Sequence, residues 1–298
     1  MSRVPVLDVA VPAITIFALL AVGMALTPAD FARVRQRPGL VIAGLLWPLL
    51  TLPPIALALV LLFEPPPAIQ AGLLLVAACP IGGISNTYSY LAGASVALSV
   101  TLTACSSLVA VLSVPLADRI FAPFLGPTLR FEAPVPLLLG QLLVMLAMPV
   151  TAGMWIRRRW PDLAIRWHPA LRTGAFIAMG ALIALVVSEN TGTFVSDLRH
   201  TVPLALVFVI VSFAVGWFVG SISRGSAADR FTIASEFATR NIAVATAIAV
   251  TLLGRVDFAL FATAYFLTEM PLMLLAISAF RAWHDPSAAT ALESGASR

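Results

Sequence analysis

Cys79-Pro80-Ile81-Gly82-Gly83-Ile84-Ser85-Asn86-Thr87-Tyr88-Ser89 interrupts an otherwise apolar run over residues 68–91. Pro80 has no backbone donor and clashes with the preceding turn. Two glycines follow almost at once, so a helix entering this stretch breaks near its middle. The rest of the chain calls for a bilayer. Of 298 residues, 60% are hydrophobic and 11% are charged, against roughly 45–50% and 25% in soluble domains. That composition excludes a soluble enzyme. Irregular backbone at membrane depth persists only where it is buried in protein or lines a polar cavity, so the break marks such a place. Ser85 and Asn86 then open a second half-helix. Their oxygens and the free carbonyls of the first half suit a hard cation, and the free N–H groups of the second half suit an anion.

Outward from the break, nine apolar segments can be read, over 9–27, 39–63, 68–91, 96–117, 135–156, 173–188, 201–220, 229–253 and 258–281. Each is near the length a spanning helix needs, about 20 residues. Pro, Gly and charge separate them, as in Glu64-Pro65-Pro66-Pro67, Arg157-Arg158-Arg159 and Arg224-Gly225-Ser226. The expected architecture is one all-α polytopic membrane domain over 1–281, with a polar, disordered tail over 282–298. The first segment could be taken for a signal peptide. Asp8 and the run Thr27-Pro28-Ala29-Asp30 into an Arg cluster favour a retained span. Cys79 and Cys105 lie in apolar stretches without metal-ligand spacing, so neither a disulfide framework nor a zinc site is expected. His168, His200 and His284 are read as loop or span-end residues.

The net charge is +4, and all 18 basic residues are Arg. A basic balance can mean a nucleic-acid partner; here it reports orientation, and no nucleic acid is expected. With the N-terminus outside, twelve Arg lie on the inner side: Arg33, Arg35, Arg37, Arg157, Arg158, Arg159, Arg166, Arg172, Arg224, Arg230, Arg281 and Arg298. Five lie outside: Arg3, Arg119, Arg130, Arg199 and Arg255. Positive charge collects on the cytoplasmic side, which predicts nine spans with the C-terminus inside. The remaining one, Arg240, falls within a span.

That span reads Ser235-Glu236-Phe237-Ala238-Thr239-Arg240-Asn241. Charged residues within a span cost roughly 2.5–3.5 kcal/mol each on insertion scales and are functional by default. Glu236 and Arg240 are four apart in the favourable order for a helical pair. They read either as a self-neutralising structural pair or as an ion or substrate site. Ser99 and Thr103, one turn apart, either back-bond to their own helix or face the same cavity as Ser85 and Asn86, with Ser106 and Ser107 beyond. Glu269, in Phe266-Leu267-Thr268-Glu269-Met270-Pro271, reads as a protonatable coupling residue, a partner for Arg240, or a neutral hydrogen-bonded acid. Two interrupted spans in opposite halves of a chain point to a secondary transporter with inverted repeats.

Cys79 to Ala92, followed by Val96-Ala97-Leu98-Ser99-Val100-Thr101-Leu102-Thr103, resembles the first crossover motif of the bile acid:sodium symporter family. Glu236 to Asn241 resembles the second, and Gly23 to Phe31 resembles the family's first conserved loop. The resemblance implies a panel domain (about 9–27, 135–156 and 173–188) and a core (about 39–63, 68–117, 201–220 and 229–281) in which two broken helices cross. It is to nine-span members that lack the first of ten helices. It places a first sodium site on Ser85, Asn86, Ser99, Thr103 and Glu236. The family's second sodium site uses two Gln side chains, and the matching positions here are Pro48 and Arg240. Arg has no acceptor, so a built-in cation paired with Glu236 replaces that ion in this reading. Pro80, Gly82, Gly83, Thr239 and Asn241 form the crossover and substrate region.

The expected function is alternating-access transport of a small organic anion, either bile-acid-like or a smaller carboxylate or sulfonate. Coupling is to one Na⁺ or to none, and no other cofactor or metal is implied. Alternatives are a proton-coupled or exchange carrier and a non-transporting membrane sensor with the same fold. An oxyanion exporter of the broader superfamily would carry Cys after the first crossover proline, whereas Cys79 precedes Pro80. An intramembrane enzyme lacks its motifs here. The expected location is a bacterial inner membrane; oligomeric state is not legible.

Overall fold

A computed structural model describes residues 5–25, 36–125, 140, 142–189 and 191–284. Among them there is no β-strand, and helices take up nearly the whole path. In chain order these are α1 (Pro5–Ala25), α2 (Pro38–Phe63), α3 (Pro67–Ala78), α4 (Ser85–Leu91), α5 (Val96–Leu125) and α6 (Met148–Arg159). There follow α7 (Pro161–Glu189), α8 (Thr191–Ile222), α9 (Ala227–Ala238), α10 (Ile242–Ala247) and α11 (Val256–His284). A π-helical turn, Leu143–Ala147, leads into α6, and another, Ile248–Leu252, continues α10. Among the described residues, four stretches are long and apolar enough to cross a membrane: Pro38–Phe63, Val96–Leu116, Phe194–Ile222 and Val256–His284. Val9–Ala25, Pro67–Ala78 and Ile242–Thr251 are shorter apolar helices.

The helices divide by what they touch. α1 lies against α6 and α7. Its contact with α6 is backbone on backbone: a Cβ on Gly23 would come within 2.2 Å of the Val150 carbonyl oxygen, and one on Gly153 within 2.4 Å of the Leu20 oxygen. Such small-residue contacts let membrane helices approach closely where apolar burial gives no driving force. The second group packs α8 on α9, α11 on α8 and α3, and α2 on α3 and α8. Thr15 of α1 hydrogen-bonds the Ala243 carbonyl of α10 at 3.2 Å and so links the groups. A capping box, Ser226 with Asp229, starts α9, and Arg37 pairs with Asp229 at 2.9 Å to tie α9 to the start of α2.

Both interrupted segments break. The first stops at Ala78 and resumes at Ser85; the second stops at Ala238 and resumes at Ile242. The extended links run antiparallel, bridged at Ile81 and Arg240. Gly82 N–H donates to the Thr239 oxygen at 3.1 Å, and Asn241 N–H donates to the Pro80 oxygen at 2.8 Å. Asn241 then caps α10 by accepting the Val244 N–H at 3.1 Å.

Two expectations need correction. The stretch after Arg159, including Arg166 and His168, is helix and not loop, because α7 begins at Pro161. Hydropathy sees only the apolar part of a helix that continues past it. The last helix runs to His284, and residues 285–298 lie outside the described residues, as do Thr27 to Phe31 of the first loop.

A Cβ on Gly82 would lie 2.7 Å from the Arg240 oxygen, whereas one on Gly39 would meet nothing within 4 Å. Gly82→Ala is therefore expected to lower stability by about 1–3 kcal/mol, as overpacking does. Gly39→Ala should leave it unchanged within about 0.5 kcal/mol. Thermal denaturation of both variants in detergent checks this.

Candidate functional site

Ser85 and Asn86 stand at the first turn of α4 because α3 cannot continue through Pro80. Ser99 and Thr103 project from one face of α5, and Glu236 comes from the last turn of α9. The structure brings all five together. Glu236 is fully buried. It accepts from Ser85 Oγ at 3.0 Å, from Thr103 Oγ1 at 3.3 Å and, through its other oxygen, from Ser99 Oγ. Asn86 Oδ1 lies 2.8 Å from Ser99 Oγ and 3.3 Å from Thr103 Oγ1, and the Gly82 carbonyl lies 2.9 Å from Ser85 Oγ.

Protons are scarce in this cluster. Each of three hydroxyls has one hydrogen, yet each faces two or more acceptor oxygens. Two carboxylate oxygens, an amide oxygen and a carbonyl compete for those three protons. Oxygen atoms crowded this way, with a single carboxylate among them, make the donor set of a hard cation. Among the described residues, no group of three or more His, Cys, Asp or Glu could hold a metal ion. The cluster's donors are hydroxyl, amide and carboxyl oxygens.

The expected Glu236–Arg240 pair does not form. Among the described residues the ion pairs are Arg37 with Asp229 and Arg255 with Asp257. The helical spacing of four has no meaning here because α9 ends at Ala238 and Thr239 is extended, at φ −103° and ψ 106°. Arg240 instead turns back across the crossing, and its Nη2 donates to the Cys79 carbonyl at the end of α3. A cation at a helix C-terminus meets the negative end of the dipole. Its Nε and Nη1 are buried without hydrogen-bond partners among the described residues. Pro48 of α2 and Arg240 line one small cavity, together with Pro80, Ile81 and Ser106. The two positions read as an altered ion site are thus neighbours.

Glu269 does not reach Arg240 in a salt bridge either. Its Oε1 accepts from Thr239 Oγ1 at 2.8 Å, and Tyr88 of α4 lies beside it. One turn earlier on the same helix, Tyr265 donates to the Ala238 carbonyl at the end of α9. Tyr265 and Ser106, whose Oγ accepts the Ile81 N–H at 3.1 Å, were not singled out as crossover residues by the sequence. The only signal for Tyr265 is its spacing of four from Glu269.

A cavity of about 530 Å³ opens beside the crossing. Gly82, Gly83, Asn86, Thr87, Arg240 and Asn241 form one wall, and α1 residues such as Leu19 and Val22 form another. His168 of α7 and Phe266 of α11 also line it. Its surface is largely apolar with a polar edge at the broken helices.

Known relatives agree in kind. The chain is 29% identical over 223 residues to the probable sodium/metabolite cotransporter BASS1, chloroplastic, of Arabidopsis thaliana. That alignment covers 75% of this chain and 54% of the relative, so this chain spans about half the length of that protein. It is 26% identical over 277 residues to the uncharacterized sodium-dependent transporter YocS of Bacillus subtilis (strain 168), covering 92% of this chain and 80% of the relative. It is 27% identical over 256 residues to the sodium-dependent organic anion transporter of Mus musculus, covering 83% and 66%. These names are those of transporters and not of enzymes. The apolar helices and these relatives make the chain a multi-pass membrane protein. Residues 12–197, more than half of the chain and inclusive of the first crossing helix, match the model of the Sodium Bile acid symporter family, and the chain belongs to that family.

Proposed function

We propose that the protein is a secondary active transporter that moves a small organic anion by alternating access, coupled to one Na⁺ bound by Ser85, Asn86, Ser99, Thr103 and Glu236. The observation that carries this reading is the excess of buried acceptor oxygens over protons around Glu236. A monovalent hard cation relieves that excess beside a carboxyl group that makes no ion pair among the described residues. The relatives named for sodium dependence support the same ion.

The substrate cavity lies between α1 and the crossing, where one group of helices meets the other. Its apolar lining suits the body of an organic anion, and its polar edge suits the charged end. In this reading α1, α6 and α7 are the panel, and the remaining helices form the core that carries the crossing from side to side. Arg240 holds the place of a second cation: the neighbouring carbonyls of Cys79, Pro80, Ala238 and Thr239 already have protein donors. The nine-span arrangement in a bacterial inner membrane, with the C-terminus cytoplasmic, belongs to the same proposal.

Glu269 is read as a structural group without a coupling role, since its carboxyl accepts the Thr239 hydroxyl that holds the extended link. Glu269→Gln keeps the acceptor for Thr239, so uptake should stay within about twofold, with an unchanged pH profile. A flattened profile would move Glu269 into proton coupling.

Uptake of a panel of organic anions into proteoliposomes under Na⁺, K⁺ or proton gradients tests the function. Only the Na⁺ gradient should drive accumulation, with a Hill coefficient for Na⁺ near one. Glu236→Gln should abolish the Na⁺ dependence. Ser99→Ala should raise the half-saturating Na⁺ concentration about tenfold, the effect of roughly 1.4 kcal/mol. For orientation, a C-terminal green fluorescent protein fusion should fluoresce and an alkaline phosphatase fusion at the same point should be inactive.

A further inference from the structure

Residues 155–172 carry five Arg and one acidic residue, Asp162, and so as much net positive charge, +4, as the whole chain. They form the corner between α6 and α7. Arg157, Arg158 and Arg159 make the last turn of α6, Trp160 makes the bend, and α7 begins at Pro161. A cation in a last helical turn meets the negative end of the dipole. That accounts for charge at the end of α6 but not for Arg166, which lies within α7. Arg37 pairs with Asp229 and Arg255 with Asp257, whereas Arg157, Arg158, Arg159 and Arg166 make no ion pair among the described residues. Three of the chain's six Trp stand among them, and Trp155, Trp160 and Trp167 are all exposed. Trp155 and Trp160 meet edge to face at 5.1 Å, and the Arg159 guanidinium lies 5.6 Å from the centre of the Trp160 ring. Leu163 and Ile165 beside them are exposed as well.

We propose that the α6–α7 corner binds the headgroup phosphate of an anionic phospholipid. Guanidinium groups pair with phosphate through two parallel hydrogen bonds, and clusters of four or more Arg beside a membrane segment suit acidic headgroups. Trp rings settle at headgroup level, apolar body towards the acyl chains and N–H towards water. In a multi-pass membrane protein the anion always at hand is lipid. A nucleic acid or an acidic protein segment would match the arginines but leave the rings, Leu163 and Ile165 uncovered. Leu163, Arg166 and Trp167 share one stripe of α7 at spacings of three and four and face outward. The opposite side of the same helix buries Ala164 and puts His168 and Ala175 on the large cavity. A headgroup held at the corner therefore ties one wall of that cavity to the bilayer surface. The lipid site is independent of the sodium site, since no residue belongs to both.

The full-length protein is stripped of lipid in detergent and titrated with phosphatidylglycerol or with phosphatidylcholine of the same chains, and bound lipid is counted by native mass spectrometry. Wild type should bind phosphatidylglycerol about tenfold more tightly than phosphatidylcholine. Arg158→Gln combined with Arg159→Gln should bring that ratio to within about twofold of one. Arg224→Gln combined with Arg281→Gln removes the same charge from exposed positions also expected on the inner side, and should keep the preference. An equal affinity for the two lipids in wild type overturns the site. Equal loss in the two double variants also overturns it, because net charge and not the corner would then select the lipid. Inorganic phosphate in excess should leave the lipid bound, since the acyl chains add apolar burial; displacement by phosphate would show an ion site and overturn the lipid assignment. Arg157→Gln with Arg166→Gln replaces the first double variant if that one does not fold, and the same loss of preference is expected of it.

Discussion

Two backbone hydrogen bonds organise this protein. Gly82 N–H to the Thr239 oxygen and Asn241 N–H to the Pro80 oxygen join two extended links that are remote in sequence. Unpaired backbone groups at this depth are costly, because no water replaces the missing partner. Each broken segment is therefore tolerable only because the other is broken at the same place. The crossing needs the two chains in near contact, which a side chain at position 82 would prevent. From that contact follow the positions of everything that carries chemistry. Ser85 and Asn86 begin their half-helix just past one link. Glu236 ends its helix just before the other, and Arg240 lies within it.

The two buried carboxylates show how environment and not residue type assigns a role. Glu236 meets three hydroxyls, with an amide oxygen and a carbonyl oxygen close by. That shell gathers more acceptor oxygens than hydroxyl protons. Glu269 meets the Thr239 hydroxyl, with Tyr88 beside it. That is too sparse a shell for a cation, but enough to fix the extended link to α11. Tyr265 on the same helix does similar work at the Ala238 carbonyl. The link is thus clamped by α11 on one side and by the first broken segment through its backbone.

The first break was legible because its cause is local: proline and two glycines cannot continue a helix. So were Ser85 and Asn86, which follow from where the helix restarts, and Glu236, which no ordinary span would contain. The second break was less legible in its detail. Thr239-Arg240-Asn241 has neither Pro nor Gly, and the spacing of Glu236 and Arg240 reads as a good helical pair. What opens the backbone there is the partner strand at Pro80 and Gly82, a tertiary cause with no local mark. The direction of the Arg240 side chain went unread for the same reason. The start of α7 was hidden differently, since polar residues from Pro161 to Arg172 continue a helix whose apolar part alone signals a span.

The location of Arg240 also explains how an unpaired guanidinium is tolerated there. One nitrogen meets the carbonyl that terminates α3, where the half-helix dipole presents partial negative charge. The net dipole of a broken helix is local and survives only because the break leaves carbonyls free. A continuous span would offer no such place, and an Arg at its centre would need a carboxylate in contact. Contact with Glu236 would in turn occupy the oxygens that the hydroxyl cluster gathers. The broken geometry keeps the two charges near each other in the same core yet separately solvated. Glu236 keeps its hydroxyl shell and Arg240 its carbonyl partner, each without contact with the other. Two breaks and one arginine thus meet a requirement that a pair of intact helices could not meet.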